Sequence, residues 1–152
     1  METELNLWEI NRKLLLEYFE SYSLEQLNTI PQGFNNNLIW NIGHVIVVQQ
    51  ALLYSSSNLP GNISNEMVNL YKPGTFPTGN TQQIEVNSLE ELLISLVEKT
   101  KIDYSHQRFS SFTPRKTPIG FNIDAVEDAI IFNNYHEALH LGAMMAIKKF
   151  IK

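Results

Sequence analysis

Apolar positions recur along the chain with helical spacing, and no segment shows the alternation of a strand. Between about Thr3 and Ser21, Leu7, Leu14 and Tyr18 form one stripe and Trp8, Leu15 and Phe19 an adjoining one, predicting a helix with a broad apolar face. Ser23-Leu-Glu-Gln26 has capping-box spacing and predicts a short helical turn to Thr29, before Pro31 and Gly33 break the chain. A second helix is predicted from about Asn36 to Ser57 with an asparagine as its cap. Its segment from Leu38 to Val48 is apolar nearly all round, as in the most buried helix of a domain. From Asn58 to Asn87 the periodicity is lost, and Pro60-Gly61, Pro73-Gly74 and Pro77 with Gly79 mark turns. Thirty residues are long for a structureless connection, so this stretch reads as a crossover or a functional lid, with Tyr71 and Phe76 as aromatic anchors.

Ser88-Leu-Glu-Glu91 reads as a further capping box, opening a third helix that carries Leu89, Leu92, Leu93, Leu96 and Val97 and frays near Phe109. After Pro114, Pro118 and Gly120, Asp124-Ala-Val-Glu127 predicts the cap of a last helix running to about Phe150. Four long helices and no strand imply an all-α fold: one four-helix-bundle domain over residues 1–152, with a long crossover between helices two and three. Helices one and two, and three and four, are expected as local antiparallel pairs.

Composition narrows the functional classes. The chain is 43% hydrophobic and 18% charged, ordinary for a globular protein, and its net charge of −5 comes without a basic patch. Nucleic acid and anionic lipid are therefore not expected partners. The acidic start lacks the basic region and apolar run of a signal peptide, and no apolar run approaches the ~20 residues of a membrane span, so a cytoplasmic location is expected. There are no cysteines, which excludes disulfides, thiolate ligands and a cysteine nucleophile.

The candidate chemistry lies in the last helix. His136 and His140 are four apart, so their imidazoles lie one above the other and can aim at one point. His136-Glu-Ala-Leu-His140 also satisfies H-E-x-x-H, with Glu137 as candidate general base. The extended protease pattern fails, because Ala143 and Ala146 stand where glycine and a third histidine belong. No His, Asp or Glu follows His140, so a third ligand has to come from upstream. His44, in the middle of the apolar second helix with Trp40 and Val48 one turn either side, is the candidate, against the alternative of an ordinary core histidine. His106 reads as a solvated residue at the end of helix three.

Trp40-Asn-Ile-Gly-His44-Val, the long linker, Thr117-Pro-Ile-Gly120 and His136-Glu-Ala-Leu-His140-Leu-Gly142 resemble the DinB family of four-helix metalloproteins in order and spacing. The resemblance implies one divalent metal ion on His44, His136 and His140, and a homodimer. Where the family often has Gly-Gln, this chain has Gly142-Ala143, so any role of that glutamine is absent. Some relatives transfer or isomerise substrates with low-molecular-weight thiols.

Three neutral imidazoles leave the metal its double-positive charge and an open position, the arrangement of a catalytic site. Such ligands suit zinc or nickel, with iron as an alternative. Glu137 lies about 100° from His136 and about 60° from His140 around the helix, at the rim of the site or turned to solvent. Asn41 and Asn133, one turn before His44 and near His136, are candidates to line the pocket or to bond backbone. The expected function is a metal-dependent transferase joining a small-molecule electrophile to a low-molecular-weight thiol. The alternatives are a non-catalytic metal or ligand-binding module and a metal-dependent hydrolase.

Overall fold

The computed structural model describes all residues, Met1–Lys152. Helix α1 (Glu2–Ser21) buries Trp8, Arg12, Leu15 and Phe19 on one stripe, so an arginine occupies a position that the spacing reserves for an apolar side chain. The second expected stripe is buried only at Tyr18. Leu7 and Leu14 are 49% and 38% exposed, because the bundle covers α1 on a narrower arc than its apolar residues offer. Ser23 and Gln26 cap the short α2 (Leu24–Asn28) reciprocally, as their spacing predicts.

Helix α3 (Leu38–Gln49) begins at Asn37, whose side chain accepts from the Trp40 N–H. It continues through a π-helical turn (Gln50–Tyr54) and a 3₁₀ turn (Ser55–Ser57), and ends where Asn58 adopts a left-handed φ of 57°. Every residue of α3 except Val48 is buried. The whole Leu38–Ser57 helix is in fact long and apolar enough for a membrane span, but 83% of it is buried inside the bundle, which accounts for its composition.

The linker after α3 carries a helix of its own, α4 (Asn65–Tyr71), capped by the Ser64 hydroxyl. Tyr71 is buried and anchors the linker, whereas Phe76 is 67% exposed and does not. Helix α5 (Gln83–Ser105) starts before the Ser88 capping box expected from the sequence. Ser88 is interior and its hydroxyl bonds back to the Ile84 carbonyl, while Val86 is already in the core. His106 follows as an exposed C-cap. Two short strands that the periodicity does not reveal, β1 (Arg115–Lys116) and β2 (Asn122–Ile123), pair antiparallel in the next loop. Helix α6 (Val126–Ile147) is capped by the Asp128 carboxylate, which accepts from the Asp124 and Ala125 N–H groups, in place of the expected Asp124 and Glu127. A 3₁₀ turn, Lys148–Phe150, extends it.

The four long helices form the expected all-α bundle, but neighbours differ from expectation. α1 packs against α5 and α6, and α3 against the same two, so the successive pairs α1/α3 and α5/α6 lie across the diagonals. Cross-helix bonds give the directions. Gln49 of α3 and Tyr54 of its π-helical continuation meet Thr100 and Asp103 of α5 in the same order, so those helices are parallel and their connection is the expected crossover. Asn41 and His44 of α3 face His140 and His136 of α6 in reverse order, which makes that pair antiparallel.

The diagonal arrangement follows from what is buried at the centre. The Arg12 guanidinium donates to Glu137 of α6, Gln49 of α3 and the Leu93 carbonyl of α5, so all four helices meet at one cation. This polar layer divides the core. Leu15, Ile42, Leu93 and Met144 belong to one apolar cluster, and Trp8, Leu53, Val97 and Ile130 to another on the far side.

Candidate metal centre

His44, His136 and His140 come together where antiparallel α3 and α6 face each other. Ring centroids are 5.3 Å apart for His44–His136, 4.8 Å for His44–His140 and 4.6 Å for His136–His140. One nitrogen from each ring lies within 4.8 Å of the others, so the cluster could hold a metal ion. The i, i+4 spacing on α6 brings two of these donors, and the antiparallel contact brings the third.

Hydrogen bonds fix two of the tautomers. His44 Nδ1 lies 2.7 Å from the Tyr71 carbonyl, which only accepts, so Nδ1 carries the proton and Nε2 keeps its lone pair. His140 Nδ1 lies 2.8 Å from Asn41 Oδ1. The Asn41 amide nitrogen donates to the Asn37 carbonyl and to Asn36 Oδ1, so its oxygen is the atom turned to His140. His140 is therefore also protonated at Nδ1 and free at Nε2. A histidine whose far nitrogen is tied in this way is oriented as a metal ligand. Asn41, expected either to line the pocket or to bond backbone, does the second and orients His140 as well.

The electrostatics favour neutral rings. Burial pushes His44 below its ordinary range, opposed by the bond to the Tyr71 carbonyl. His136 is lowered to about 3, by burial first and then by His140, His44 and Arg12, and His140 to about 4 by burial and His44. Neutral imidazoles are what a divalent cation requires. His136 Nδ1, buried and without a partner, shows that the ring's polarity is not satisfied by the protein alone. The donor set and its burial fit a divalent ion.

The surroundings hold α3 and the linker against this cluster. Trp40 stacks on His44 at 4.6 Å and 17°, and its indole N–H donates to Thr75 of the linker. Gly43 makes the approach of α4 possible, since a Cβ there would stand 2.4 Å from the Tyr71 ring. Tyr71 can thus lie on α3 and present its carbonyl to His44. Neither contribution is visible in the sequence motif, although a glycine inside an otherwise apolar helix was a signal for close approach.

Glu137 does not stand at the rim of the cluster. It is fully buried, and its carboxylate accepts from Arg12 Nε and Nη2, the Trp8 indole and Asn133 Nδ2. These donors occupy it as the anchor of a buried ion pair toward α1, which corrects both expected positions, the rim of the site and solvent. Arg12, its partner, is a charged residue in the buried stripe of α1. Its signal was an arginine at the helix position between Trp8 and Leu15, in register with the buried stripe. Asn133 belongs to this network and not to an open pocket. His106 lies outside the cluster, as expected.

Fold and site together define an all-helical bundle with a crossover linker and a three-histidine cluster between two antiparallel helices. Residues 7–144 match the family model of the DinB superfamily, and the chain belongs to that superfamily. No curated protein matches the chain.

Proposed function

We propose that His44, His136 and His140 bind one divalent metal ion, zinc or nickel by donor type, and that the protein is a metal-dependent transferase using a low-molecular-weight thiol. The observation that carries the metal reading is the pair of fixed tautomers: the Tyr71 carbonyl and Asn41 Oδ1 hold protons on the far sides of His44 and His140 and leave both Nε2 lone pairs free. When bound, the ion would favour the anion of a coordinated thiol near neutral pH. The chain contributes three neutral donors and a partly buried setting, and Trp40 and Tyr71 brace His44. With no cysteine in the sequence, the thiol is a cosubstrate. The engagement of Glu137 by Arg12 supports transfer over hydrolysis, because hydrolysis needs a base free to take a proton from water.

Metal content of purified single variants tests the ligand set. His44→Ala, His136→Ala and His140→Ala are each expected to lose stoichiometric metal, whereas His106→Ala keeps it. Full retention by His44→Ala overturns the assignment. Turnover of small electrophiles by the metal-loaded protein is then expected only with a glutathione-like thiol present. Metal-dependent turnover without thiol would indicate a hydrolase, and no turnover across a broad panel a binding module.

A further inference from the structure

Two buried atoms on the same helix face are without partners: His136 Nδ1 and Asn133 Oδ1. They are complementary in kind and one helical turn apart on α6, the spacing at which side chains meet. The Asn133 amide is not free to rotate. Its Nδ2 donates to Glu137 at 2.7 Å, and a carboxylate paired with Arg12 only accepts, so Oδ1 is the atom left with nothing to accept from. A neutral imidazole can carry its proton on either nitrogen. Binding a metal through Nε2 places that proton on Nδ1, where a buried acceptor is needed. The other two histidines already have one each, in Tyr71 and Asn41.

We propose that Asn133 is a positioning residue for the metal: its Oδ1 accepts the His136 Nδ1 proton, directly or through one water, and so selects Nε2 as the ligand atom. This rests on the metal reading of the cluster. Asn133 then links His136 to the Glu137–Arg12 pair, and the polar layer that joins the four helices also sets the orientation of one ligand. The unsatisfied Oδ1 is accounted for by the same step, since buried acceptors in native proteins normally have a partner.

Zinc-loaded wild-type protein, with two-bond ¹H–¹⁵N imidazole spectra, provides the first readout. All three rings are expected to be metallated at Nε2 and protonated at Nδ1; a His136 ring protonated at Nε2 overturns the proposal. Zinc affinity by chelator competition is the second. Asn133→Ala is expected to weaken binding about 10- to 100-fold. Asn134→Ala controls for a polar contact on the α1 side of the helix. Unchanged affinity in folded Asn133→Ala overturns the role of Asn133 and leaves the metal site standing. Failure of the wild type to bind zinc or nickel overturns both. Two further readouts separate the contacts of Asn133: thermal stability of the metal-free Asn133→Ala protein reports loss of the Glu137 contact, whereas loss of the ligand contact shifts the His136 imidazole signals of its zinc complex from those of the wild type.

Discussion

Arg12→Met tests the polar layer most directly. The substitution keeps an unbranched chain in the stripe but leaves the Glu137 carboxylate, 0% exposed, with only the Trp8 and Asn133 dipoles. Breaking a buried pair by removing one partner costs about 3–5 kcal/mol. In a chain of 152 residues each kcal/mol moves Tm by roughly 2–4 °C, so a fall of about 6–20 °C is expected. Glu137→Leu strands the guanidinium instead and is expected to cost a similar amount. If the two losses added, about 6–10 kcal/mol would vanish, enough to unfold many domains of total stability about 5–15 kcal/mol. The double variant is expected to behave differently. It removes both charges and leaves Trp8 Nε1, Asn133 Nδ2 and Gln49 Oε1 short of a partner, at about 1 kcal/mol or somewhat more each. The double should therefore cost no more than either single, a coupling of about 3 kcal/mol or more. Urea unfolding of the four metal-free proteins at neutral pH measures the cycle, since bound metal would add its own stabilisation. Additivity within about 0.5 kcal/mol, or a loss below about 1 kcal/mol for Arg12→Met, would refute a central ion pair.

The histidine cluster gives the metal-free protein a pH dependence. His136 and His140 titrate at about 3 and 4 in the folded state and near 6.5 when unfolded, so only the unfolded chain takes up their protons in between. Stability is fully present above pH 6.5 and falls as pH drops toward 4, by about 1.4 kcal/mol per pH unit for each histidine. A urea midpoint that stays flat from pH 7 to 5 would contradict this. Gly43→Ala places a Cβ 2.4 Å from Tyr71 and is expected to cost about 1–3 kcal/mol while weakening metal affinity through His44. Wild-type stability and affinity in that variant would show that α4 does not rest on Gly43.

The helices were legible from the pattern of residues, because an apolar stripe of 3.6-residue period can be buried only as a helix face. The length of the Asn58–Asn87 segment left a crossover or a lid open, which the parallel contacts of Gln49 and Tyr54 with α5 resolve as a crossover, and i, i+4 spacing marked His136 and His140 as a pair. The helix start at Gln83 and the Asp128 cap were less legible, because several polar residues near each terminus offer similar caps and the core chooses between them. Tertiary structure alone placed α1 and α3 across a diagonal and turned Glu137 away from the histidines. The spacing of Glu137 permits both a metal rim and a buried ion pair. What decided was Arg12, 125 positions away in the chain, whose uncompensated burial would be far more costly than the loss of any single helix contact. The carbonyl of Tyr71 was likewise invisible, since every residue has one and only the fold aims it at His44.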